Sequence, residues 1–262
     1  MNLRDHDREH YLLSLFAPRQ FRADMGVVMG YGFETAAIRA RVRDRQVGAI
    51  RLAWWRDFLT TIYPPDAAES PNPKKSALGR QRGSHSWALH DQLAMICRHY
   101  HLPIAQLLAM IEIQLDAWED DYFNKPEAIW HYAAATEGVM AGLSAIILSK
   151  TQLSQKSAEI CRELGQIYGA TRLLSTQSER LPEAHLSDIF QECQRKLQAL
   201  KPLCGTLPKT LTPIRLMGLL AVRRLEHLGG CLGDVAAMKD LPSDPFLPLF
   251  MEFSAWRRKR GW

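Results

Sequence analysis

Three acids near the middle of the chain have the types and spacing that could hold a metal ion. Asp116, Glu119 and Asp120 form a D-x-x-E-D pattern, and residues three or four positions apart lie on one helical face. Such a face could bind a hard cation such as Mg²⁺, which takes oxygen ligands. The acids also close a predicted helix just before a turn at residues 124–126, and charge runs are usually solvated. Two interpretations stay open: a metal site and a solvated helix end. The solvated helix end is favoured.

A second candidate metal site lies near the start of the chain. His6 and His10 are four residues apart, with Asp5, Asp7 and Glu9 interleaved, so one helical turn could present ligands to a divalent cation at the surface. No third ligand with a clear geometry accompanies the two imidazoles. The spacing therefore favours two solvated histidines over a metal site.

Two tryptophans and two arginines on one predicted helix could contact a ligand. Trp54 and Trp55 point about 100° apart on a helix, which predicts that one lies in the core and the other is partly exposed. Arg51 and Arg56 could bind a diphosphate or a lipid headgroup through their guanidinium forks, or pair with neighbouring acids. Ion pairing is favoured because no phosphate-cradling glycine loop accompanies them.

Helical periodicity dominates the elements that must position these residues. Apolar side chains recur at steps of three and four, as at Ile104, Leu107, Leu108, Ile111, Leu115 and Trp118. The same spacing returns in residues 160–174 and 214–228, whereas convincing period-two strands are missing. The sequence predicts an all-α fold of about eight to ten helices.

Length and composition predict a single domain over residues 1–262. A chain of this size with 47% hydrophobic residues can bury one large core. Residues 64–86 are poor in large apolar groups and rich in Pro, Ser, Lys and Arg, which predicts a flexible loop. The five cysteines are odd in number, widely spaced and without a C-x-x-C pair, which argues against a disulfide framework or a thiolate zinc site.

Charge and hydropathy limit the classes of partner and the cellular location that the sequence is compatible with. The net charge of +5 favours anionic partners without identifying one, and no basic stripe with a recognisable motif indicates nucleic acid. The first residues lack a long apolar region and are rich in acids, which argues against a targeting segment. No run reaches the roughly 18 to 20 apolar residues needed to span a bilayer. We expect a cytoplasmic protein, with any membrane role peripheral to the inner membrane.

The last residues of the sequence offer one route to a membrane. Residues 246–262 combine aromatic and aliphatic side chains with a basic cluster, Arg257, Arg258, Lys259 and Arg260. Such a segment could lie on an anionic membrane surface. A packed last helix with a solvated basic end is favoured, because the apolar positions recur at helical spacing.

One segment carries a specific family resemblance. Residues 38–59 contain the pattern G-x-I-R-L-x-W-W-R-D, at Gly48, Ile50, Arg51, Leu52, Trp54, Trp55, Arg56 and Asp57. This segment resembles the squalene/phytoene synthase superfamily, and residues 11–18 and 83–112 look like its opening and middle helices. With weaker similarity in 132–143 and 164–174, the resemblance covers most of residues 3–230. It implies an isoprenoid synthase-like helical bundle around a central cavity.

The resemblance also implies that the family's metal sites are degenerate. Catalytic members hold Mg²⁺ on a prenyl diphosphate with two D-x-x-x-D motifs on facing helices. Matching the helices places the first pair at Ala36 and Ala40 and the second at Thr176 and Arg180. Neither pair supplies the acids, so the resemblance implies no catalytic residue and no cofactor, with these four positions lining the cavity.

A non-catalytic branch, which includes a mitochondrial assembly factor for respiratory complex I and bacterial relatives, is the closest match. It implies a role in binding or assembly, with a protein partner and an isoprenoid or lipid ligand. The side chains predicted to contact such a ligand or a headgroup are Ser14, Arg51, Trp54, Trp55, Arg56 and Tyr168. Two alternatives stay open: a Mg²⁺-dependent prenyltransferase making a C30 or C40 precursor, and a peripheral membrane adaptor.

Overall fold

A computed structural model describes residues 3–63, 85–119, 121–149, 153–176, 181 and 183–230. Within these ranges the regular structure is helical, which confirms the all-α prediction. The α-helices are α1 Leu3–His6, α2 Arg8–Leu15, α3 Arg22–Arg41, α4 Arg45–Thr60, α5 His85–Tyr100, α6 Ile104–Asp116, α7 Pro126–Ala133, α8 Val139–Leu148, α9 Gln155–Thr176, α10 Glu183–Cys204 and α11 Thr212–Gly229. Single 3₁₀ turns occupy Arg19–Phe21, Tyr122–Asn124 and Lys209–Leu211.

The described part of the chain has eleven α-helical segments rather than eight to ten, and two local features explain the difference. Asp7 begins α2 as a separate helix, because its carboxylate accepts a hydrogen bond from the backbone N–H of His10 at 3.2 Å. α7 and α8 are joined without a loop by a π-helical segment, Ala134–Gly138. Such π segments often occur at functional sites.

α9 is one of the two longest described helices, and it packs against α7, α8, α10 and α11. Its buried positions recur at helical spacing, at Ile160, Leu164, Ile167, Thr171 and Leu174. This is the pattern predicted from the sequence for residues 160–174. Because α9 is covered on several sides, a charged residue on one of its buried faces must find a partner inside the fold.

Two helices, α3 and α8, separate two hydrophobic core clusters. One cluster contains Met25 and Met29 of α3 together with Ala141 and Ala145 of α8. The other contains Val28 and Tyr31 of α3 together with Met140 and Leu143 of α8. Helices that are apolar on opposite faces are buried on both sides, so α3 and α8 form a shared wall between the two clusters.

The tryptophan pair on α4 follows the prediction. Trp55 is 7% exposed and packs on Tyr31 and His90, with ring centroids 5.2 and 4.0 Å away. Trp54 is 67% exposed. On the same helix, a Cβ at Gly48 would overlap the ring of Trp118, so the glycine lets this ring pack directly on the α4 backbone.

Most of the predicted loop and all of the predicted basic tail lie outside the described residues. α5 begins at His85, so residues 85 and 86 of the predicted loop are helical, and the rest of that loop, 64–84, lies outside the described residues. The basic tail, 246–262, also lies outside them. None of the helices that the structure describes is both long and apolar enough to cross a membrane.

Candidate functional site

A cavity of about 570 Å³ opens between α3, α6, the α7–α8 helix and α9. Its volume is within the range of small-molecule sites, roughly 300–1,000 Å³. Much of the lining is apolar, including Phe33, Phe123, Met140 and Leu173. The cavity can therefore accept an apolar group of substantial size.

Three of the four predicted degenerate positions lie in the wall of this cavity. Ala36 and Ala40 line it from α3 and Thr176 lines it from α9, while Arg180 lies outside the described residues. Alanine has no ligand atom, and a lone hydroxyl carries no charge that would attract Mg²⁺. That these positions are lost metal ligands stays a prediction. Among the described residues there is no cluster of three or more His, Cys, Asp or Glu side chains suited to a metal ion.

Four charged residues form a buried network, here called the His10 network, at one side of the cavity. His10 is 2% exposed, and its ring nitrogens lie 2.7 Å from the Asp7 carboxylate and 3.0 Å from the Glu137 carboxylate. Arg172 donates to Glu137 at 2.9 Å and to Asp7 at 3.2 Å. The prediction of a solvated histidine is therefore wrong for His10, because acids from other turns and helices enclose it. It is confirmed for His6, which is exposed.

Electrostatics inside the network favour the charged forms of His10 and Asp7. Burial disfavours the imidazolium of His10, but Glu137 and Asp7 outweigh burial and raise its pKa to about 10. Burial likewise opposes ionisation of Asp7, but His10 and Arg172 hold the pKa of this carboxyl well below its usual range. Arg172 Nη1 lies 3.2 Å from His10 Nδ1, and because both are donors the shared carboxylates hold these cations together. At neutral pH His10 is therefore a cation and Asp7 an anion, and each lies within hydrogen-bond distance of the other.

A second buried cluster, here called the Arg224 cluster, links α2 to α9 and α11. Arg224 Nη2 lies 2.7 Å from both carboxylate oxygens of Glu9. Tyr168 donates to the same carboxylate at 2.7 Å, and Arg224 donates to Thr171 at 3.2 Å. Burial raises the pKa of Glu9, but Arg224 and Arg172 more than reverse this and lower it. These contacts hold α2, and with it His10, against the bundle.

The placement of Glu137 depends on glycines in α9. Glu137 lies in the π segment Ala134–Gly138, which packs on α9. A Cβ at Gly169 would lie 2.9 Å from Glu137 Cβ, and a Cβ at Gly165 would lie 2.5 Å from Ala141 Cβ. Side chains at these positions would push the π segment away, so the two glycines allow Glu137 to reach Arg172.

The side chains predicted to contact a ligand lie away from the cavity wall. Ser14, Trp55 and Tyr168 are buried, and the Ser14 hydroxyl donates to the Tyr11 carbonyl at 2.6 Å. The exposed members of the set are Arg51, Trp54 and Arg56. Arg56 lies 3.6 Å from Glu112, whereas Arg51 makes no ion pair with any residue that the structure describes. A role for these six residues in ligand binding stays a prediction.

The acidic pattern at the end of α6 is divided by the structure. Asp116 is the last residue of the helix. Glu119 forms an ion pair with Arg45 of α4, and Asp120 lies outside the described residues. Because Glu119 already has a cation partner, its contact supports the interpretation as a helix end that packs against α4. A metal role for the three acids stays a prediction.

Sequence reasoning missed Glu137, Arg172 and Arg224, although the sequence contains a signal for the first. Glu137 is the one acid between Glu127 and Glu159, in a stretch dominated by alanine and large apolar residues. A lone charge in such a helix must be paired when it is buried. The sequence does not show which cation pairs with it, because Arg172 is 35 positions away.

Comparisons with known proteins found one family and one similar protein. A family model described as squalene/phytoene synthase matches residues 3–185. The chain is also similar to NADH dehydrogenase (ubiquinone) complex I, assembly factor 6, from Bos taurus, with 23% identity over 146 residues. That alignment covers 56% of this chain and 39% of the relative, so the chain spans well under half of the relative's length. Because the family model matches more than half of the chain, the protein belongs to the squalene/phytoene synthase family.

Proposed function

We propose that this protein binds a lipid-like ligand in its cavity and acts in binding or assembly, without Mg²⁺-dependent prenyl diphosphate chemistry. One observation carries the proposal: the acids of the cavity are already neutralised. Asp7 and Glu137 are paired with His10 and Arg172, and Ala36 and Ala40 supply no other ligand atoms.

The strength of this pairing explains why the cavity is poorly suited to diphosphate departure. A departing diphosphate needs divalent cations to offset its charge. A carboxylate of the His10 network could bind such a cation only by giving up a buried partner, and breaking a buried ion pair costs about 3–5 kcal/mol. The same network gives the cavity one rigid, polar side, while the remaining lining is free to contact an apolar chain.

Pyrophosphate release tests the absence of diphosphate chemistry. The purified protein is incubated with farnesyl or geranylgeranyl diphosphate, with and without Mg²⁺, beside an active prenyltransferase as the positive control. We expect no pyrophosphate above the protein-free rate. Titration with a non-hydrolysable thiolo analogue should show no Mg²⁺-dependent binding. Mg²⁺-dependent release would contradict the proposal and support the prenyltransferase alternative.

The assembly part of the proposal follows from the relative named as a complex I assembly factor. By that similarity, the partner would be a protein of a respiratory complex. Removing the gene from its host should lower the amount of assembled complex I on native gels, and restoring the wild-type chain should recover it. A normal amount of assembled complex in the deletion strain would contradict this role.

A second candidate function, contact with a membrane surface, is favoured by one face of α4. Val47, Ile50 and Trp54 are 43%, 52% and 67% exposed, and their spacing places them along one stripe. Arg51 lies beside the stripe on the same helix. Exposed aromatic and aliphatic groups next to a cation suit an anionic bilayer surface.

Vesicle sedimentation tests this second candidate. Trp54→Ser should weaken binding to phosphatidylglycerol vesicles several-fold, while Met95→Ser, which removes a similarly exposed side chain from α5 (62% against 67%), should not. Binding to phosphatidylcholine vesicles should be weaker, and salt should reduce the difference. Equal binding by wild type and Trp54→Ser would exclude this face.

A further inference from the structure

The cavity has an open end and a closed end along α3. Gly32, Ala36 and Ala40 all line it, and their spacing of four residues places them on one face of the helix. Gly32 is buried, whereas Ala36 and Ala40 are exposed. At the usual rise per residue of an α-helix, the distance from Gly32 to Ala40 is about 12 Å. The cavity therefore opens at the Ala36–Ala40 end, and its inner end lies at Gly32.

Met140 of α8 covers this inner end. It is 4% exposed, and it lines the cavity together with Gly32. Its contact with α3 is direct, because a Cβ built at Gly32 would lie 2.0 Å from Met140 Sδ and 3.0 Å from Met140 Cε. The thioether of Met140 therefore lies against the bare backbone of Gly32, in the space that the side chain of any larger residue there would take.

Met140 is also the boundary between the cavity and packed core. Among the lining residues that the structure describes, it alone belongs to the core cluster that contains Val28 and Tyr31. A protein interior is close-packed and resists extra atoms, whereas a cavity has room for them. A Met140 side chain displaced from Gly32 should therefore move toward the cavity. A shorter side chain in place of Met140 should leave the cavity longer.

We propose that Met140, packed against Gly32, sets the maximum length of the apolar chain that the cavity accepts. Methionine is unbranched and flexible, and it fills irregular gaps in a core. Its terminal atoms, Cγ, Sδ and Cε, occupy the room of roughly three chain carbons. Gly32 contributes by leaving the space in which the thioether lies. The inference rests on the proposed ligand-binding function and names the residue that determines the length of the ligand.

Titration with primary alcohols of increasing length, from octanol to hexadecanol, tests the inference. Each methylene buried in the cavity should tighten binding about fourfold, and the tightening should stop at the chain length that reaches Met140. We expect Met140→Ala to raise this limit by roughly three carbons. Gly32→Ala, which pushes the thioether into the cavity, should lower it. Gly32→Ala in the Met140→Ala background should have little effect, because the side chain that it would displace is absent.

Two variants in α3 are the matched controls. Met25→Ala removes a methionine that is fully buried and lies outside the cavity lining. Gly26→Ala adds a methyl group with nothing within 4 Å of it among the described residues. Neither should change the length limit. A melting temperature for each variant shows whether it is folded, and if Met140→Ala is unfolded, the shift caused by Gly32→Ala still tests the inference.

The outcomes separate this inference from the proposed function. If wild type, Met140→Ala and Gly32→Ala share one length limit, Met140 does not set it, while the ligand-binding cavity stands. A higher limit in Gly32→Ala would also overturn the inference, because the displaced side chain would then have moved away from the cavity. If no alcohol binds to the wild-type protein, the proposed ligand-binding function fails, and the inference fails with it.

Discussion

His10 shows how one buried side chain can join three parts of the fold. It lies on α2, receives one carboxylate from Asp7 just before that helix, and meets Glu137 from the π segment, while Arg172 of α9 contacts both acids. Removing charges from water is costly, and only mutual pairing compensates for it. The network therefore stabilises one arrangement of these elements and strongly disfavours any arrangement that leaves a charge alone.

The raised pKa of His10 predicts how stability depends on pH. The folded state keeps the proton up to about pH 10, whereas an unfolded histidine loses it near 6.5. The stabilisation is therefore complete below about pH 6.5 and decreases as the pH rises toward 10. Compared with His10→Gln, the advantage of wild type in unfolding free energy should shrink by about 2–4 kcal/mol between pH 6 and 9.5.

Urea unfolding at several pH values measures this difference. His99→Gln removes an exposed histidine from α5 and is the matched control for loss of an imidazole. We expect His99→Gln to follow wild type across the range. A difference between wild type and His10→Gln that stays constant from pH 6 to 9.5 would show that the network does not hold the proton.

For single residues, the sequence predicts those features that depend only on the geometry of one helix. The exposed Trp54 and the buried Trp55 follow from the 100° between successive residues of a helix. The burial of His10 could not be predicted from its neighbours in sequence, because the carboxylate of Glu137 that encloses it is 127 positions away. The spacing with His6 suggested a surface site, and long-range pairing decided against it.

The contact between α9 and the π segment depends on small residues. Enlarging one of these residues should therefore destabilise the packing of the two helical elements. A Cβ at Gly165 would overlap the backbone of Glu137, and backbone cannot move aside as a flexible side chain can. Gly165→Ala should therefore lower the unfolding free energy by at least about 2 kcal/mol, within the range for overpacking. Gly169→Ala should act in the same direction.

Gly26 of α3 is the matched control, because nothing lies within 4 Å of the Cβ that Gly26→Ala would add. Alanine favours a helix over glycine by about 0.5–1 kcal/mol, so Gly26→Ala should stabilise the protein slightly. Chemical denaturation of the three variants shows directly whether each substitution raises or lowers the free energy of unfolding. Destabilisation by Gly26→Ala equal to that by Gly165→Ala would refute the packing explanation.

The helices themselves were largely predictable, and their details were not. Periodicity indicated α6, α9 and α11, because each buries one or more apolar faces. The π segment Ala134–Gly138 was not visible in the sequence, because one extra residue in a turn barely changes the apolar period. Its position depends on glycines of another helix, which no local pattern reveals.

At the scale of the whole molecule, a helical bundle of the family encloses a cavity in which the acids Asp7 and Glu137 are paired with His10 and Arg172. Family membership supports the fold, whereas function depends on the groups in the site. Here Ala36 and Ala40 lie in the wall, and buried ion pairs occupy the acids. The fold class was predictable because it rests on many periodic positions, whereas the cavity chemistry rests on a few long-range contacts.

The shared wall formed by α3 and α8 predicts that the two core clusters unfold together. Leu174 lies in one cluster and Leu143 in the other, and both are fully buried. Leu→Ala at either position should cost about 2–5 kcal/mol. Because α3 and α8 contribute to both clusters, loss of one cluster exposes the other. Circular dichroism and tryptophan fluorescence should therefore give one coincident urea transition for wild type, Leu143→Ala and Leu174→Ala, and two separated transitions would show two independent folding units.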